Sequence, residues 1–264
     1  MKSLKLKHFP SLIGQSIKDL EILLMSVGEP PYRGRQLFNW IYRKKVYDLT
    51  RMTDLPKLSQ EKLKTFSIHP LKILKTNSSS SKKTQKFLFM TKNGNTIESV
   101  LMNKGNKTTV CLSTQVGCAV DCSFCATAKM GFIQNLSAGE IIDQYLQLVK
   151  LSDKKITNVV FMGMGEPFLN YENCIAAARL LNHEKGINIA ARKITISTAG
   201  IIKKIKKYTN DKHPYRLAVS LNGSNQDQRL KIMPITKNQN FYNLINAIKD
   251  YTLKTRKRIT IEYV

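Results

Sequence analysis

The alternation of apolar and polar residues divides the chain into a helical first part and a longer stretch in which strand-like and helix-like runs take turns. From about residue 12 to 66 the apolar positions recur at helical spacing. SIKDLEILLMSVG ends on a glycine, and Pro31 opens PYRGRQLFNWIYRK, so the runs carry their own start and stop signals. Strand-like LKILK and KFLFM then flank a polar turn, TNSSSSKKTQ at 76–85, and NTIESVLM leads onward. From 107, strands read at TTVCLSTQ, ITNVVFMG, KITISTAG, YRLAVSLN and RITIEYV alternate with helical segments near 137–150, 171–184, 200–208, 225–232 and 240–254. That order predicts an α/β fold: a partial (β/α) barrel with five strands present, preceded by a small helical domain and a short β segment. The expected divisions are a helical domain at 1–70, a hairpin-like connecting segment at 71–105 and the partial barrel at 106–264.

In such a barrel, function gathers at the carboxyl ends of the strands. A cysteine-rich loop follows the first strand, GMGEP the second, and STAG and SLNGS close the third and fourth, so four unusual stretches are expected on one rim.

Composition adds a partner class. With 264 residues, 42% of them hydrophobic, the chain can bury one substantial core and a small extra domain. Forty-three Lys and Arg against eighteen Asp and Glu give a formal charge of +25. No apolar run reaches membrane-spanning length, so nucleic acid is the expected anionic partner of a cytoplasmic protein. Bias toward lysine is the competing explanation, but bias alone should have raised glutamate too. Arg33, Arg35, Trp40 and Arg43 make the helical domain the expected RNA surface, while the apolar neighbours of Trp40 point it toward the core.

The most specific chemistry lies in GCAVDCSFCATAKMGF, where Cys118, Cys122 and Cys125 stand at Cys-x3-Cys-x2-Cys spacing. Iron–sulfur clusters normally take four thiolates, so three leave one iron free for an exchangeable ligand, as in radical S-adenosylmethionine enzymes. A structural zinc site needs a fourth ligand, and His69 and His183 are distant in sequence. Disulfides are disfavoured by the odd count of five cysteines and by the lack of an apolar signal segment ahead of the chain. Cys174, on NCIAAARLL, reads as helix packing.

Together, CLSTQVGCAVDCSFCATAKMGF, NVVFMGMGEPFLN, ITISTAG, LAVSLNGSNQDQR and RITIEYV resemble the radical S-adenosylmethionine methyltransferases that modify an adenine of 23S ribosomal RNA at carbon 2, some of which also act on transfer RNA. The resemblance runs from about Gly28 to Val264. It implies a (β/α)6 barrel, with a [4Fe-4S] cluster on Cys118, Cys122 and Cys125 and S-adenosylmethionine contacted by Gly165, Glu166, Ser197, Ser220, Leu221 and Asn222. Asn222 departs from the histidine often found there, and an amide does not titrate as imidazole does. Taken alone, GMGEP could equally be an ordinary strand-end turn.

The resemblance also gives Cys111 and Glu98 roles that their own surroundings would not suggest. A strand thiol is usually inert packing and a strand glutamate usually faces solvent. By resemblance, Glu98 is the acid–base residue, and Cys111 forms a disulfide with a methyl-carrying C-terminal cysteine to resolve the protein–RNA adduct. Two cofactor molecules are implied, one methylating that cysteine and one yielding the radical that activates its methyl group. A flavodoxin or ferredoxin would donate the electron, and the protein would act as a monomer. No cysteine follows Cys174 in this sequence, so the expectation is a fragment or an early stop that binds cluster and cofactor without turnover. Methylation at carbon 8 of the same adenine, a radical enzyme acting on a small molecule or protein, and a non-catalytic RNA-binding protein remain open as alternatives.

Overall fold

The computed structural model describes residues 11–263; residues 1–10 of the expected helical domain, and Val264, lie outside the described residues. Helix α1 (Ile17–Ser26) starts at a capping box, in which Ser16 and Asp19 each accept from the other's backbone amide. Helix α2 (Tyr32–Phe38) runs on into a π-helical turn, Asn39–Lys44, which stops at Lys45 in the left-handed region. Helix α3 (Lys57–Leu63) completes the set. Leu20, Leu23 and Leu24 of α1 and Leu37, Phe38, Ile41 and Tyr42 of the second run are all buried.

The strands follow as β1 (Leu71–Ser78), β2 (Thr84–Thr91), β3 (Thr96–Lys104) and β4 (Lys107–Cys111), each antiparallel to the next. Two short strands, β5 (Gln115–Gly117) and β6 (Phe132–Asn135), pair only with each other. Then come α4 (Ala138–Leu151), β7 (Asn158–Phe161), α5 (Tyr171–Asn182), β8 (Ile194–Thr198), α6 (Ile202–Asn210), β9 (Arg216–Ser220), α7 (Gln226–Ile232), α8 (Phe241–Thr255) and β10 (Ile259–Glu262). The large sheet has the order β1-β2-β3-β4-β7-β8-β9-β10 and is parallel from β4 onward.

The five parallel strands are those read from the sequence, with one correction. TTVCLSTQ is not one strand: the large sheet takes it only to Cys111, and its end begins the small β5–β6 hairpin. Residues 71–105 form β1, β2 and β3, and β3 pairs with β4 along five residue pairs, so the sheet runs on from the parallel strands out through β1. Half of the polar run at 76–85 belongs to β1 and β2, and the turn itself is residues 79–83.

Period-two alternation gives this sheet two unlike faces. One face presents Ile97, Leu101, Val110, Val159, Phe161, Ile196 and Leu217, all buried in the core. The other presents Glu98, Val100, Cys111, Val160, Thr195, Ser220 and Glu262, all half-buried. The helical domain is seated on the barrel by close backbone contact: a Cβ on Gly139 of α4 would lie 2.6 Å from the Ile13 carbonyl oxygen. Buried Asp143 of α4 adds polar ties, accepting from His69 Nδ1 at 2.6 Å, the Leu71 amide at 3.1 Å and Gln147 Nε2 at 2.9 Å.

Candidate active site

The cysteine loop is held at both ends. The β5–β6 pairing clamps its base, where the Cys118 amide donates to the Gly131 carbonyl at 2.9 Å. Inside the loop the Cys125 amide donates to the Cys122 carbonyl at 3.0 Å, and the Ser123 amide reaches the Ile232 carbonyl of α7 at 2.9 Å. Cys118, Cys122 and Cys125 are half-buried and line one cavity of about 410 Å³, within the range of small-molecule sites. Val120, Ala199 and Met233 pack beneath Cys118 and Cys122. Burial pushes the Cys118 thiol up to about 11 and the Cys122 thiol up to about 12. In this apolar setting the sulfurs remain protonated unless a metal stabilises the thiolates.

Opposite the loop, the end of β7 supplies GMGEP. A Cβ on Gly163 would lie 2.7 Å from Ser113 Oγ, and one on Gly165, which has φ +95°, would collide with the Gln115 side chain. Close passage of the segment after β4 therefore already requires both glycines. Glu166 is buried, with its Oε1 accepting from the Phe168 amide at 2.9 Å and its Oε2 from the Ala199 amide at 2.6 Å. Burial pushes its carboxyl up to about 7, against these hydrogen bonds and the nearby Arg229 guanidinium, which lower it. Its side chain ties β7 to β8.

Ser197, Ser220 and Asn222 complete the cavity wall from β8 and β9. Asn222 sits in the left-handed region at φ +51° with its buried Oδ1 unpartnered. Leu221 packs against the core and is not part of the cavity lining. Sequence reasoning missed two further residues, Glu262, which lines the cavity, and Arg229, which braces its wall from behind. Glu262 Oε2 accepts from both Ser197 Oγ and Ser220 Oγ at 2.7 Å. Arg229, fully buried on α7, donates to the carbonyls of Ser220, Leu221 and Ala199, fastening the ends of β8 and β9 together. Both lie in motifs that carry the resemblance, RITIEYV and SNQDQR. Strand alternation could have aimed Glu262 at the rim; nothing in the sequence pairs a helix arginine with strand-end carbonyls.

Cys111 and Glu98 stand apart from that wall but share one face of the sheet. Cys111 lies opposite Val100 in register, and Glu98 is two residues along β3. Burial pushes the Cys111 thiol up to about 11. Glu98 is ion-paired with Lys86 of β2 at 2.9 Å. Cys174 is buried in α5, and all five cysteines are free thiols.

The residues fit the implied cofactors. Among the described residues no set of three or more His, Cys, Asp or Glu would hold a single metal ion, whereas a cubane asks each thiolate to bind a separate iron. The unpartnered Asn222 Oδ1 and the serine pair leave polar groups for an organic ligand beside it. No helix of the described residues is long and apolar enough to cross a membrane.

Comparison with known proteins agrees over nearly the whole chain. Residues 112–264 match the Radical SAM superfamily, and residues 11–68 match the ribosomal RNA large subunit methyltransferase N-terminal domain. The probable dual-specificity RNA methyltransferase RlmN of Thermotoga neapolitana is 45% identical over 255 residues, 96% of this chain and 74% of the relative. That of Aquifex aeolicus is 44% identical, covering 94% of this chain and 72% of the relative, and that of Geobacillus thermodenitrificans is 40% identical, covering 98% and 72%. The crystal structure of a radical SAM methyltransferase from Sphaerobacter thermophilus superposes with a TM-score of 0.91 at 40% identity, over 96% of this chain and 75% of that one.

Proposed function

Because the chain belongs to the RlmN family of radical S-adenosylmethionine RNA methyltransferases, we propose that its site serves methylation of carbon 2 of an adenine in 23S ribosomal RNA and in transfer RNA. The observation that carries this reading is the convergence of Cys118, Cys122 and Cys125 with Glu166, Ser197, Ser220 and Asn222 on a single cavity at the carboxyl ends of the parallel strands. Cys118, Cys122 and Cys125 hold a [4Fe-4S] cluster, and the backbone at Gly165 and Glu166 with the side chains of Ser197, Ser220 and Asn222 holds S-adenosylmethionine. Once bound, these groups supply the radical chemistry that an unreactive ring carbon demands and the methyl group itself.

The chain's own residues take the remaining parts. Cys111 keeps its thiol proton through burial and presents sulfur on the open face of the sheet, placed to attack the sulfur of the methyl-carrying cysteine that the family uses, so that the sulfur–carbon bond to the adduct breaks as the disulfide forms. Glu98 shares that face, and its carboxylate, held by Lys86, accepts the proton leaving the base. Arg35 and Arg43, exposed on the helical domain, contact phosphate. Arg33 and Trp40 are engaged structurally instead, both bonding to Asp54. The net charge of +25 also suits an acidic electron donor of the flavodoxin or ferredoxin kind, met by a monomer in the cytoplasm.

Anaerobic reconstitution tests the site. Four irons and four sulfides per chain are expected, with an electron paramagnetic resonance signal that changes when S-adenosylmethionine is added. Alanine at Cys118, Cys122 or Cys125 should abolish that signal, because two thiolates anchor a cubane too weakly. Stoichiometric zinc in native protein, with no iron or sulfide, would sink the assignment.

A further inference from the structure

A second cavity opens at the amino ends of the parallel strands, away from the cysteines. Its wall comes from residues 152–157, which lead into β7, from residues 187–190 ahead of β8, from α4, and from Lys45 of the helical domain. At about 610 Å³ it is larger than the cavity beside the cysteines, and none of the residues lining it lies in the motifs that carry the family resemblance. Its floor is apolar, made by Val149, Ile156, Ile187 and Ile189 with the ring of Tyr145. Tyr145 is only 4% exposed, yet no described residue hydrogen-bonds its hydroxyl. Burial raises the pKa of that hydroxyl with no hydrogen bond opposing it, so it keeps its proton and stands free as donor and acceptor. A buried hydroxyl without a partner is destabilising, and a ligand that pairs it relieves the penalty.

At the rim, Lys45, Lys154 and Lys155 stand against the single carboxylate of Asp153. These full charges outweigh the partial negative charge that the carboxyl end of α4 brings to the same place. The rim is held in shape, because Ser152 Oγ donates to the Lys154 carbonyl at 2.6 Å and the Ile189 amide donates to the Leu181 carbonyl at 2.8 Å. Floor and rim together restrict the ligand. Inorganic phosphate would satisfy the lysines and leave the apolar floor wet, whereas an aliphatic acid would cover the floor and leave the Tyr145 hydroxyl unpaired. A nucleobase has apolar faces and a hydrogen-bonding edge, and its sugar carries a phosphate. We propose that this cavity is a nucleotide site separate from the methylation site, with the base on the isoleucine floor, its edge at the Tyr145 hydroxyl, and the phosphate at Lys45, Lys154 and Lys155. A free nucleotide and a single residue of an RNA strand present the same chemistry to it. Because Lys45 belongs to the helical domain and the floor to the barrel, the occupant ties the two together.

The test is methyl NMR of the cluster-loaded 264-residue protein with labelled isoleucine δ1 methyls, those of Ile156, Ile187 and Ile189 being assigned by single substitutions to Val. These three methyls report on this cavity, so binding beside the cysteines does not register in them. Titration with the four ribonucleoside 5′-monophosphates should shift all three saturably for at least one of them, with a dissociation constant of about 1 mM or tighter. Inorganic phosphate and the matching nucleoside should each bind about tenfold more weakly, since each makes half of the contacts. Tyr145→Phe keeps the ring and the floor and should weaken the nucleotide about tenfold through the lost hydrogen bond. Lys154→Gln combined with Lys155→Gln should weaken the nucleotide and leave the nucleoside unaffected, and iron content should stay at the wild-type level in both variants. An RNA hexamer that moves the same methyls at lower concentration than the mononucleotides assigns the site to an RNA strand, and the reverse order assigns it to free nucleotide. Unmoved methyls with all four nucleotides, inorganic phosphate binding as tightly as nucleotide, or wild-type affinity in both variants would overturn the proposal.

Discussion

Glu166 is legible in the sequence as a member of a motif, but the structural bonds of its side chain are not: both of its oxygens accept backbone amides, from Phe168 and Ala199. Glu166→Gln leaves one acceptor where two are needed and sets an NH2 group against an amide donor. It should cost roughly 1–3 kcal/mol of stability, read by denaturant unfolding. A pH dependence follows from burial pushing this carboxyl up from its ordinary value of 4.5 to about 7. The folded state holds the proton more tightly, so this group's stabilisation is full below about 4.5 and is lost as pH rises through about 7. Subtracting the variant's unfolding profile from the wild type's should expose that fall, and a flat difference across the window would refute it. Cys174, by contrast, reads correctly as helix packing, so Cys174→Ala should load iron normally and cost only about 1 kcal/mol. Iron loss in that variant would overturn the division of labour among the cysteines.

Elements were recovered where periodicity is strong and missed where pairing is non-local. The helices at 138–151 and 241–255 match the apolar spacing read for them within a residue. The β5–β6 hairpin has strands of three and four residues, too short to show a period. That β3 continues the barrel sheet was also hidden, since alternation in a hairpin looks the same whether its outer edge is free or joined. The same holds for the helical domain, whose Leu12, Leu37 and Tyr42 belong to one core with the barrel. Deleting residues 1–70 should therefore expose barrel surface and cause aggregation, instead of removing RNA affinity alone. Gly139→Ala probes that seam more gently: its Cβ would meet the Ile13 carbonyl at 2.6 Å, and overpacking there should lower stability by about 1–3 kcal/mol. Unchanged unfolding of that variant would show that the seam yields easily.

At the scale of the whole molecule, a large positive charge surrounds a single cysteine-lined cavity. A polycation of net +25 releases counterions on binding RNA, so affinity should fall steeply with salt. Replacing Arg35 and Arg43 with Gln should flatten the log–log salt slope by about 0.7 for each phosphate no longer neutralised, leaving S-adenosylmethionine affinity unchanged. An unaltered slope would move the RNA surface elsewhere on the chain. Methylation at carbon 2 leaves its mark on the product, so nucleoside mass spectrometry of ribosomal and transfer RNA from source cells with and without the intact gene is the decisive measurement. 2-Methyladenosine should be present in the parent and absent from the deletion strain in both RNA classes. Retention of 2-methyladenosine in the deletion strain, or loss of 8-methyladenosine in its place, would contradict it.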